Sequence, residues 1–277
     1  MELAITIVVT ILAAILSAVF WPMWKRYSGN KTKSYLLTPN NPSKVQEAID
    51  FYLERIHYDE RIPPSFIKYF LESKEHSVKS IDELEIVCNT TKAPSHIFLV
   101  CECEGVIVGI MKLIYMCEIN SFFIAYYAAK PSSDGASAAI LNSILSFILG
   151  KLEECDCIYY EICENREDKD KAVAKSRLFK HYAMARGFKV KCIVGNYLQP
   201  EIAAFDEGFT DPVNGRLYGI AKCESTLESR KPEEVFSAIF SQVYADSFFH
   251  LEKNYYAKYV QYLSKIRTDM GLLLCEE

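Results

Sequence analysis

The segment from Phe122 to Gly150, FFIAYYAAKPSSDGASAAILNSILSFILG, constrains the fold more than any other part of the chain. Its first third is aromatic and typical of a strand, and a short polar loop with one glycine follows. The rest has apolar residues at helical spacing, and Gly150 follows them as a terminator. The apolar positions are Ile140, Leu141, Ile144, Leu145, Ile148 and Leu149. The sequence therefore predicts a strand that passes through a short loop directly into a buried helix.

The loop between this strand and helix has the chemistry of an anion site. A helix that begins directly after a loop presents unpaired N–H groups and the positive end of its dipole. Gly135 lets the backbone approach a phosphate closely, and the hydroxyls of Ser132, Ser133 and Ser137 add donors. Asp134 opposes this interpretation, because a carboxylate repels phosphate unless it points away or caps the helix. An ordinary N-capped helix therefore stays open as the alternative.

The N-terminal residues Leu3–Phe20 form an uncharged run of 18 residues. At ~1.5 Å per residue, this run comes close to the ~30 Å hydrocarbon core of a bilayer. Trp21 and Trp24, followed by Lys25 and Arg26, suit the cytoplasmic interface. We therefore expect a single-pass membrane anchor with its N-terminus outside and the soluble domain in the cytoplasm. A cleaved signal peptide is the alternative, but no basic residues precede the run and no clear cleavage site follows it.

Composition narrows the classes of protein further. A chain of 277 residues, half of them hydrophobic, can bury an ordinary core in one or two domains. The net charge of -5 gives no basic surface for nucleic acid, which we do not expect as a partner. The ten cysteines lie mostly in apolar stretches of the sequence and include no C-x-x-C pair, and the five histidines are scattered along the chain. The pattern predicts reduced, buried cysteines and no metal site.

Local patterns divide the chain into an anchor with its flank (residues 1–28), a juxtamembrane linker (29–42), a main domain (43–225) and a helical extension (226–277). PSKVQEAIDFYLERI predicts a helix that Ser43 caps, and PPSFIKYFLES predicts a second helix. HIFLVCECEGVIVGIMKLIYM predicts a hairpin that turns at Glu104 and Gly105.

The second half of the main domain alternates strands and helices. CDCIYYEIC predicts a strand, and the charged ENREDKDKAVAK predicts a solvated loop. SRLFKHYAMARGF predicts a short helix that ends at Gly187, and FKVKCIVGNYL and RLYGIAKCE predict two more strands. From Pro232 to about Ile266 the residue pattern again predicts helix, with an aromatic stripe at helical spacing. We expect this extension to pack on the domain or on a second copy of the chain.

The order of these elements closely resembles the GNAT superfamily of acyl-CoA-dependent N-acyltransferases. The resemblance rests on the hairpin, the strand, the glycine loop and its helix, the next strand, and the short helix ending ARGFKV, over roughly residues 36–225. It implies an α+β fold with a mixed, mostly antiparallel sheet flanked by helices. In this chain an N-terminal transmembrane helix and a C-terminal helical extension would be added to that fold.

The resemblance also implies which residues bind coenzyme A. In the family, backbone amides of a Q/R-x-x-G-x-G/A loop hold the pyrophosphate, and the preceding strand splays from its neighbour and pairs with pantetheine. The strand positions are Tyr127, Ala128 and Ala129, within a cofactor-facing stretch from Phe123 to Ala129, and the loop positions are Ser132, Ser133, Asp134, Gly135, Ala136 and Ser137. Ser132 stands where the family has Gln or Arg.

A second family motif, N-x-x-A-x-x-L-Y-x-x-x-G-F, aligns on Gly187 with two departures. Ser176 stands at the asparagine that contacts the cofactor, and Ala183 stands at the tyrosine that protonates the leaving thiolate. Tyr182 is one residue away, about 100° round the helix. A thiol with a pKa of ~8.5 leaves without a strong acid, so the departures do not end the case for catalysis.

An acyl transfer to an ammonium group needs a general base. Glu118, just before the cofactor strand, and Glu161, on the next strand, are the candidate carboxylates, and Tyr182 is the candidate acid. The tyrosines that could line the acceptor cleft are Tyr126, Tyr127, Tyr159 and Tyr160. Each of these residues also has an ordinary structural interpretation as a strand-edge polar or core aromatic side chain.

The sequence therefore predicts a membrane-anchored N-acyltransferase that uses acetyl-CoA or another acyl-CoA. The acyl group would pass to an amine, on a small molecule or a protein, by direct attack within a ternary complex. Because of the departures at Ser132, Ser176 and Ala183, the alternative is an inactive GNAT-like module for binding or assembly, with a homo-oligomer formed through the C-terminal helix. A membrane-bound sensor of acyl-CoA is the third interpretation.

Overall fold

The computed structural model describes residues 32–56, 61–73, 94–130, 136–150, 155–163, 169–200, 209, 211–248 and 253–274. The predicted anchor, residues 1–28, lies outside these ranges. Within them, no helix combines the length and the apolar character that crossing a bilayer requires.

Seven strands form one mixed sheet in the order β1-β2-β3-β4-β5-β7-β6. Neighbouring strands are antiparallel except β4 and β5, which run parallel. The strands are β1 (Thr32–Leu36), β2 (Ser95–Cys103), β3 (Val106–Met116), β4 (Ser121–Ala129), β5 (Cys157–Cys163), β6 (Lys189–Gln199) and β7 (Val213–Ala221). The predicted α+β class with a mostly antiparallel sheet is confirmed.

Helices cover both faces of the sheet. They are α1 (Pro42–Arg55), α2 (Pro64–Glu72), α3 (Ala136–Leu149), α4 (Lys169–Met184), α5 (Glu224–Glu228), α6 (Pro232–Ala238), a π-helix (Ile239–Ala245) and α7 (Lys253–Leu274). On one face, which we call the α3/α4 face, Leu141, Ile144 and Phe179 are buried against the sheet. The other, the α1/α7 face, is covered by α1, α2, α6, the π-helix and α7.

The predicted linker, residues 29–42, contains the edge strand β1. This strand pairs antiparallel with β2, and Leu36 and Leu37 are buried. The Ser34 hydroxyl lies 2.8 Å from that of Ser143, which joins β1 to α3. Lysines near this strand suggested a linker, but an edge strand tolerates lysine because one side of it faces solvent. The folded unit therefore includes part of the predicted linker.

The predicted helix at α1 is confirmed, but its cap is Asn41 and not Ser43. The Asn41 side chain accepts a hydrogen bond from the backbone N–H of Lys44 at 3.2 Å. The Ser43 hydroxyl donates to the same oxygen at 2.8 Å. Pro42 occupies the first helical position, where its missing N–H costs nothing, and this moves the cap to the residue before it.

The predicted hairpin of β2 and β3 is confirmed with its two-residue turn. Glu104 and Gly105 have φ angles of 53° and 84°. Positive φ at both central positions matches the twist of the flanking strands. The turn therefore joins β2 and β3 as directly paired antiparallel neighbours.

Helix α4 begins at Lys169, inside the charged stretch that was predicted as a loop. Of the side chains of this helix that the structure describes, Val173 and Ala174 are exposed, and the first fully buried one is Phe179. Lysine and alanine are good helix formers, which favours a helical start in this charged stretch. The hydrophobic pattern therefore marked only the second half of the helix.

The C-terminal extension is helical, as predicted, and packs on its own domain. Val235, Ile239, Tyr259 and Leu263 belong to the same buried cluster as the sheet residues of the α1/α7 face. The backbone N–H of Leu198 on β6 lies 3.1 Å from the sulfur of Met270 on α7. Of the two predicted uses of its aromatic stripe, the structure shows packing within the chain.

Candidate functional site

The two parallel strands at the centre of the sheet separate halfway along their length. Pairing between β4 and β5 runs from Ser121 with Cys157 to Ile124 with Tyr160. Beyond that point β4 stays paired with β3, and β5 stays paired with β7. A cleft therefore opens in the middle of the sheet, with β4 as one wall and β5 as the other.

A β-bulge marks the point where the cleft begins. In the register of β3 and β4, Lys112 lies opposite Tyr126 and Leu113 lies opposite Ile124, so Ala125 has no partner. A bulge bends its strand and redirects the side chains that follow. The bend thus coincides with the separation of β4 from β5.

The β4 wall offers backbone hydrogen-bonding groups to the cleft. The N–H of Lys130 donates to the carbonyl of Val108 on β3 at 2.8 Å. Because backbone groups alternate in direction along a strand, those of Tyr127 and Ala129 point away from β3, toward the cleft. Those of Ala128 point to β3. Of the three strand residues predicted to bind the cofactor, two therefore aim their backbone at the cleft.

Helix α3 begins at Ala136, at the end of the loop that leaves β4. The predicted phosphate-binding residues Ser132, Ser133, Asp134 and Gly135 lie outside the described part of the chain. Ala136 and Ser137 are the first helical residues, so their N–H groups belong to the unpaired first turn. The predicted strand before residues 131–135 and the predicted helix after them are confirmed.

The β5 wall carries Glu161, one of the two predicted bases. Its carboxylate accepts a hydrogen bond from the hydroxyl of Tyr244, which lies 2.8 Å from both carboxylate oxygens. Tyr244 belongs to the π-helix, a rare conformation that is frequent at functional sites. The C-terminal extension therefore reaches the cleft and contacts a candidate catalytic group.

A second tyrosine lies beside the same carboxylate. Burial, and then the negative charge of Glu161, raise the pKa of Tyr197 well above its usual range. The same two causes, in the same order, raise the pKa of Tyr244. Both hydroxyls therefore keep their protons at neutral pH, and Glu161 lies next to proton donors.

Lys112, on β3, lies on the α1/α7 face next to the start of the cleft. Its side chain is buried, with its ammonium nitrogen 4.9 Å from the ring centre of Phe70, 5.8 Å from that of Phe98 and 5.7 Å from that of Tyr126. Burial lowers the pKa of Lys112 to about 7. The described residues provide it with no ion pair, so a large fraction of this amine is uncharged at neutral pH.

Helix α4 places the residues of the second family motif on the other face of the sheet. Ala183 is fully buried, and Tyr182 is half-buried, with its pKa raised by burial. Tyr182 and Tyr127 of the β4 wall pack against the same buried cluster. Burial, and then the negative charge that an ionised Tyr182 would carry, raise the pKa of Tyr127. The hydroxyl of Ser176 lies close to that of Tyr160. These side chains thus approach the cleft from the α3/α4 face.

The structure does not bring Glu118 to the cleft. Glu118 is exposed in the short turn before β4, at the end where β4 and β5 are paired. Two further tyrosines predicted to line the acceptor cleft, Tyr159 and Tyr160, are almost fully buried and face opposite sides of the sheet. Glu118 was predicted because it directly precedes β4 in the sequence. The strand runs from Glu118 toward the cleft, so Glu118 lies at the other end of β4.

Sequence reasoning missed Lys112 and Tyr244. Lys112 is the only charged residue in the strand VIVGIMKLIYM, and a single charge in such a run is a signal that could have been found. Tyr244 has no local signal, because its partner Glu161 is 83 residues away.

No protein family model matches the sequence, and no curated protein matches it. Among solved structures, the diaminobutyrate acetyltransferase of Paenibacillus lautus is similar, with 13% identity, a TM-score of 0.43, and coverage of 70% of this chain and 96% of that one. The ribosomal-protein-S18-alanine N-acetyltransferase of Escherichia coli has 9% identity and a TM-score of 0.40, with coverage of 69% of this chain and 92% of that one. The spermidine N-acetyltransferase of Vibrio cholerae has 18% identity and a TM-score of 0.38, with coverage of 72% of this chain and 99% of that one. Similarities of this size carry no argument about the chemistry of this chain.

Proposed function

We propose that the chain is an acyl-CoA-dependent N-acyltransferase of the GNAT type, which transfers an acetyl group to an amine by direct attack in a ternary complex. The separation of β4 from β5 just before a loop and a buried helix carries this proposal. It provides a slot in the sheet for an extended ligand arm, with a helix N-terminus at its end for an anion.

Coenzyme A would bind in an extended form along the β4 wall. The backbone groups of Tyr127 and Ala129 would pair with the amides of the pantetheine arm, as an added strand pairs with a sheet edge. The pyrophosphate would lie at the N-terminus of α3, where Ala136 and Ser137 begin the helix and the loop from Ser132 to Gly135 precedes it. The acyl group would then reach the closed end of the cleft.

The groups around that closed end suit acyl transfer. An ammonium acceptor must lose a proton before it attacks, and Glu161 on the β5 wall is our candidate base. Tyr244 orients this carboxylate through its hydroxyl. The attack forms the amide bond and breaks the C–S bond, and the leaving thiolate takes up a proton, for which Tyr182 is our candidate donor.

An inactive binding module is the second candidate. Two observations favour it: Ala183, at the position of the family's tyrosine, is fully buried, and the carboxylate of Glu161 is held by Tyr244. In this case coenzyme A would bind without release of thiol from acetyl-CoA.

We also propose that residues 3–20 hold the domain at the cytoplasmic side of a membrane, where the amine acceptor would be found. A chain that lacks residues 1–28 keeps all of β1 and should remain in the supernatant when membranes are sedimented. Sedimentation of this shortened chain with membranes would contradict the proposal.

Calorimetric titration of the full chain with coenzyme A and acetyl-CoA tests the proposed function. We expect micromolar binding of both, which is lost in Gly135→Asp because the new carboxylate repels phosphate. Release of thiol from acetyl-CoA in the presence of amines would establish transfer, whereas binding without release would select the inactive module. If neither ligand binds, the proposal is wrong.

A further inference from the structure

We propose that Lys112 is itself an acyl acceptor, whose Nζ takes an acetyl group from a thioester bound in the cleft between β4 and β5. The product would be an acetylated lysine inside the domain. This inference rests on the proposed function, because it needs the cleft to hold acetyl-CoA.

The position of Lys112 in the sheet is the first argument. Lys112 lies opposite Tyr126, the first residue after the bulge, where β4 has just left β5. Directly opposed residues on neighbouring antiparallel strands have Cβ atoms about 5 Å apart, and both side chains are on the α1/α7 face. The ammonium nitrogen lies 5.7 Å from the ring centre of Tyr126. Tyr126 is two residues beyond Ile124, the last residue of β4 that pairs with β5. Lys112 therefore lies on β3 beside the closed end of the cleft, where we place the acyl group.

The surroundings of Lys112 are the second argument. It lines a small cavity of about 10 Å³, roughly the room that one water molecule needs. The other lining residues are Tyr52, Ile62, Ile67, Phe98, Ile110 and Tyr126. No carboxylate is among them. Among the described residues, the ammonium group contacts the rings of Phe70, Phe98 and Tyr126 and pairs with no carboxylate, which favours the uncharged, nucleophilic form of the amine.

The titratable groups around Lys112 do not reverse this preference. Tyr52 on α1 and Tyr126 on β4 face it from the cavity, and their rings are packed edge to face at 5.5 Å. His96 on β2 stacks on Phe70 of α2 at 3.7 Å, behind the nearest aromatic ring. None of these residues has a carboxyl group, and burial lowers the pKa of Lys112 to about 7.

Lys44 shows the opposite arrangement in the same chain. Its ammonium forms ion pairs with Glu47, at 2.8 Å, and with Glu102. Hydrogen bonds to these carboxylates raise the pKa of Lys44. Lys44 is therefore held as a cation, and it serves as an internal reference for a lysine that should not react.

The cover over the α1/α7 face favours an amine from within the chain. Helices α1, α2 and the π-helix pack on this face, where Tyr52, Phe70 and Tyr244 are buried. An external amine approaching from this side would have to displace part of that cover. The amine of Lys112 is already beneath it.

The proposed step is a simple aminolysis. The lone pair of Nζ attacks the thioester carbonyl, the N–C bond forms, and the C–S bond breaks. The thiolate leaves as coenzyme A and takes up the proton that Nζ releases. No oxidant, reductant or metal enters the balance, and the product amide is uncharged, which removes the cost of burying an ammonium group.

The test is incubation of the full chain with isotopically labelled acetyl-CoA, followed by intact-mass measurement and peptide mapping. We expect one acetyl group, on Lys112, and none on Lys44. Because only the uncharged amine attacks, the initial rate should rise about tenfold per pH unit below pH ~7 and level off above it. In denaturant the preference for Lys112 over Lys44 should disappear.

Two variants serve as controls. Lys112→Arg keeps a cation and Lys112→Met keeps the length of the side chain without charge, and neither should be acetylated at this position. Circular dichroism and titration with coenzyme A show whether each variant folds and keeps the cleft. Binding of acetyl-CoA by the wild type with Lys112 unmodified would overturn this inference alone. Equal labelling of exposed lysines such as Lys191 would also overturn it, whereas absence of binding would defeat the proposed function together with it.

Discussion

The two sides of the cleft stabilise their ionisable groups in opposite ways. On the β5 side, Glu161 accepts a hydrogen bond from Tyr244 at 2.8 Å. On the β3–β4 side, Lys112 is buried among Phe70, Phe98 and Tyr126, and no carboxylate of the described residues pairs with it. Both groups lie on the α1/α7 face of the sheet.

This difference shows that burial alone does not decide the charge of a group. A hydrogen-bond donor stabilises a carboxylate, and Glu161 has such a donor in Tyr244. Aromatic rings compensate an ammonium only weakly, so Lys112 favours its neutral form. The cleft therefore has a hydrogen-bonded carboxylate on one side and, on the other, an amine whose pKa burial lowers to about 7.

The largest expected effect comes from removing the amine. A pKa lowered from 10.5 to about 7 corresponds to roughly 5 kcal/mol for burying the cation. Lys112→Met should therefore raise the free energy of unfolding by several kcal/mol at or below pH ~7, where the lysine is protonated in both states. Between about pH 7 and about pH 10 only the unfolded state holds the proton, so the wild type gains stability as pH rises and the advantage of methionine shrinks.

Urea unfolding of both proteins across this pH range measures the difference. Lys191→Met, at an exposed lysine that contacts Glu228, is the matched control and should show a small effect with little dependence on pH. An advantage of Lys112→Met that is equal at all pH values would show that Lys112 is not neutralised by burial.

The second effect concerns the β5 side. Tyr244→Phe removes the hydrogen bond from Tyr244 to Glu161 and should lower the free energy of unfolding by about 2 kcal/mol, the range for hydrogen bonds to charged groups. Combination with Glu161→Gln in a double-mutant cycle separates this interaction from packing. Tyr256→Phe, at a half-buried tyrosine of α7, is the control and should lower the free energy of unfolding by a smaller amount. If Tyr244→Phe costs no more than Tyr256→Phe, the two sides of the cleft do not differ as described.

The third effect concerns the wall that would bind coenzyme A. Ala129→Pro removes an N–H that points into the cleft and keeps the ladder bonds to β3, so the protein should stay folded. Loss of one hydrogen bond, worth about 1 kcal/mol, should weaken binding of coenzyme A roughly 5-fold in calorimetry. Ala128→Pro removes a bond to β3 and should instead lower the melting temperature. Equal affinity in Ala129→Pro and the wild type would exclude the β4 wall as the binding edge.

The smallest effect is expected from Tyr182→Phe. Its hydroxyl is half-buried near Tyr127, and a thiolate of pKa ~8.5 leaves without a strong acid. The rate of thiol release should change less than about twofold. A drop of tenfold or more at unchanged affinity would make Tyr182 the proton donor of the reaction and would place the chemistry partly on the α3/α4 face.

Local patterns in the sequence were sufficient for most elements and for part of the site. The alternation of apolar residues predicted β2 to β7, and the helical spacing from Leu141 to Ile148 predicted α3. The choice of Glu161 and of Tyr127 to Ala129 depended on the family resemblance. The cap at Asn41, the strand β1 and the start of α4 were missed because exposed polar residues at element ends carry a weak pattern.

What the sequence determined by itself was the order of strands, loop and helices, because periodicity and turn residues act over a few neighbours. The separation of β4 from β5, the uncharged environment of Lys112 and the bond between Tyr244 and Glu161 were decided only by the tertiary structure. The last of these joins residues 83 positions apart. Hydrogen bonding and desolvation depend on which side chains meet in space, and no local pattern records that.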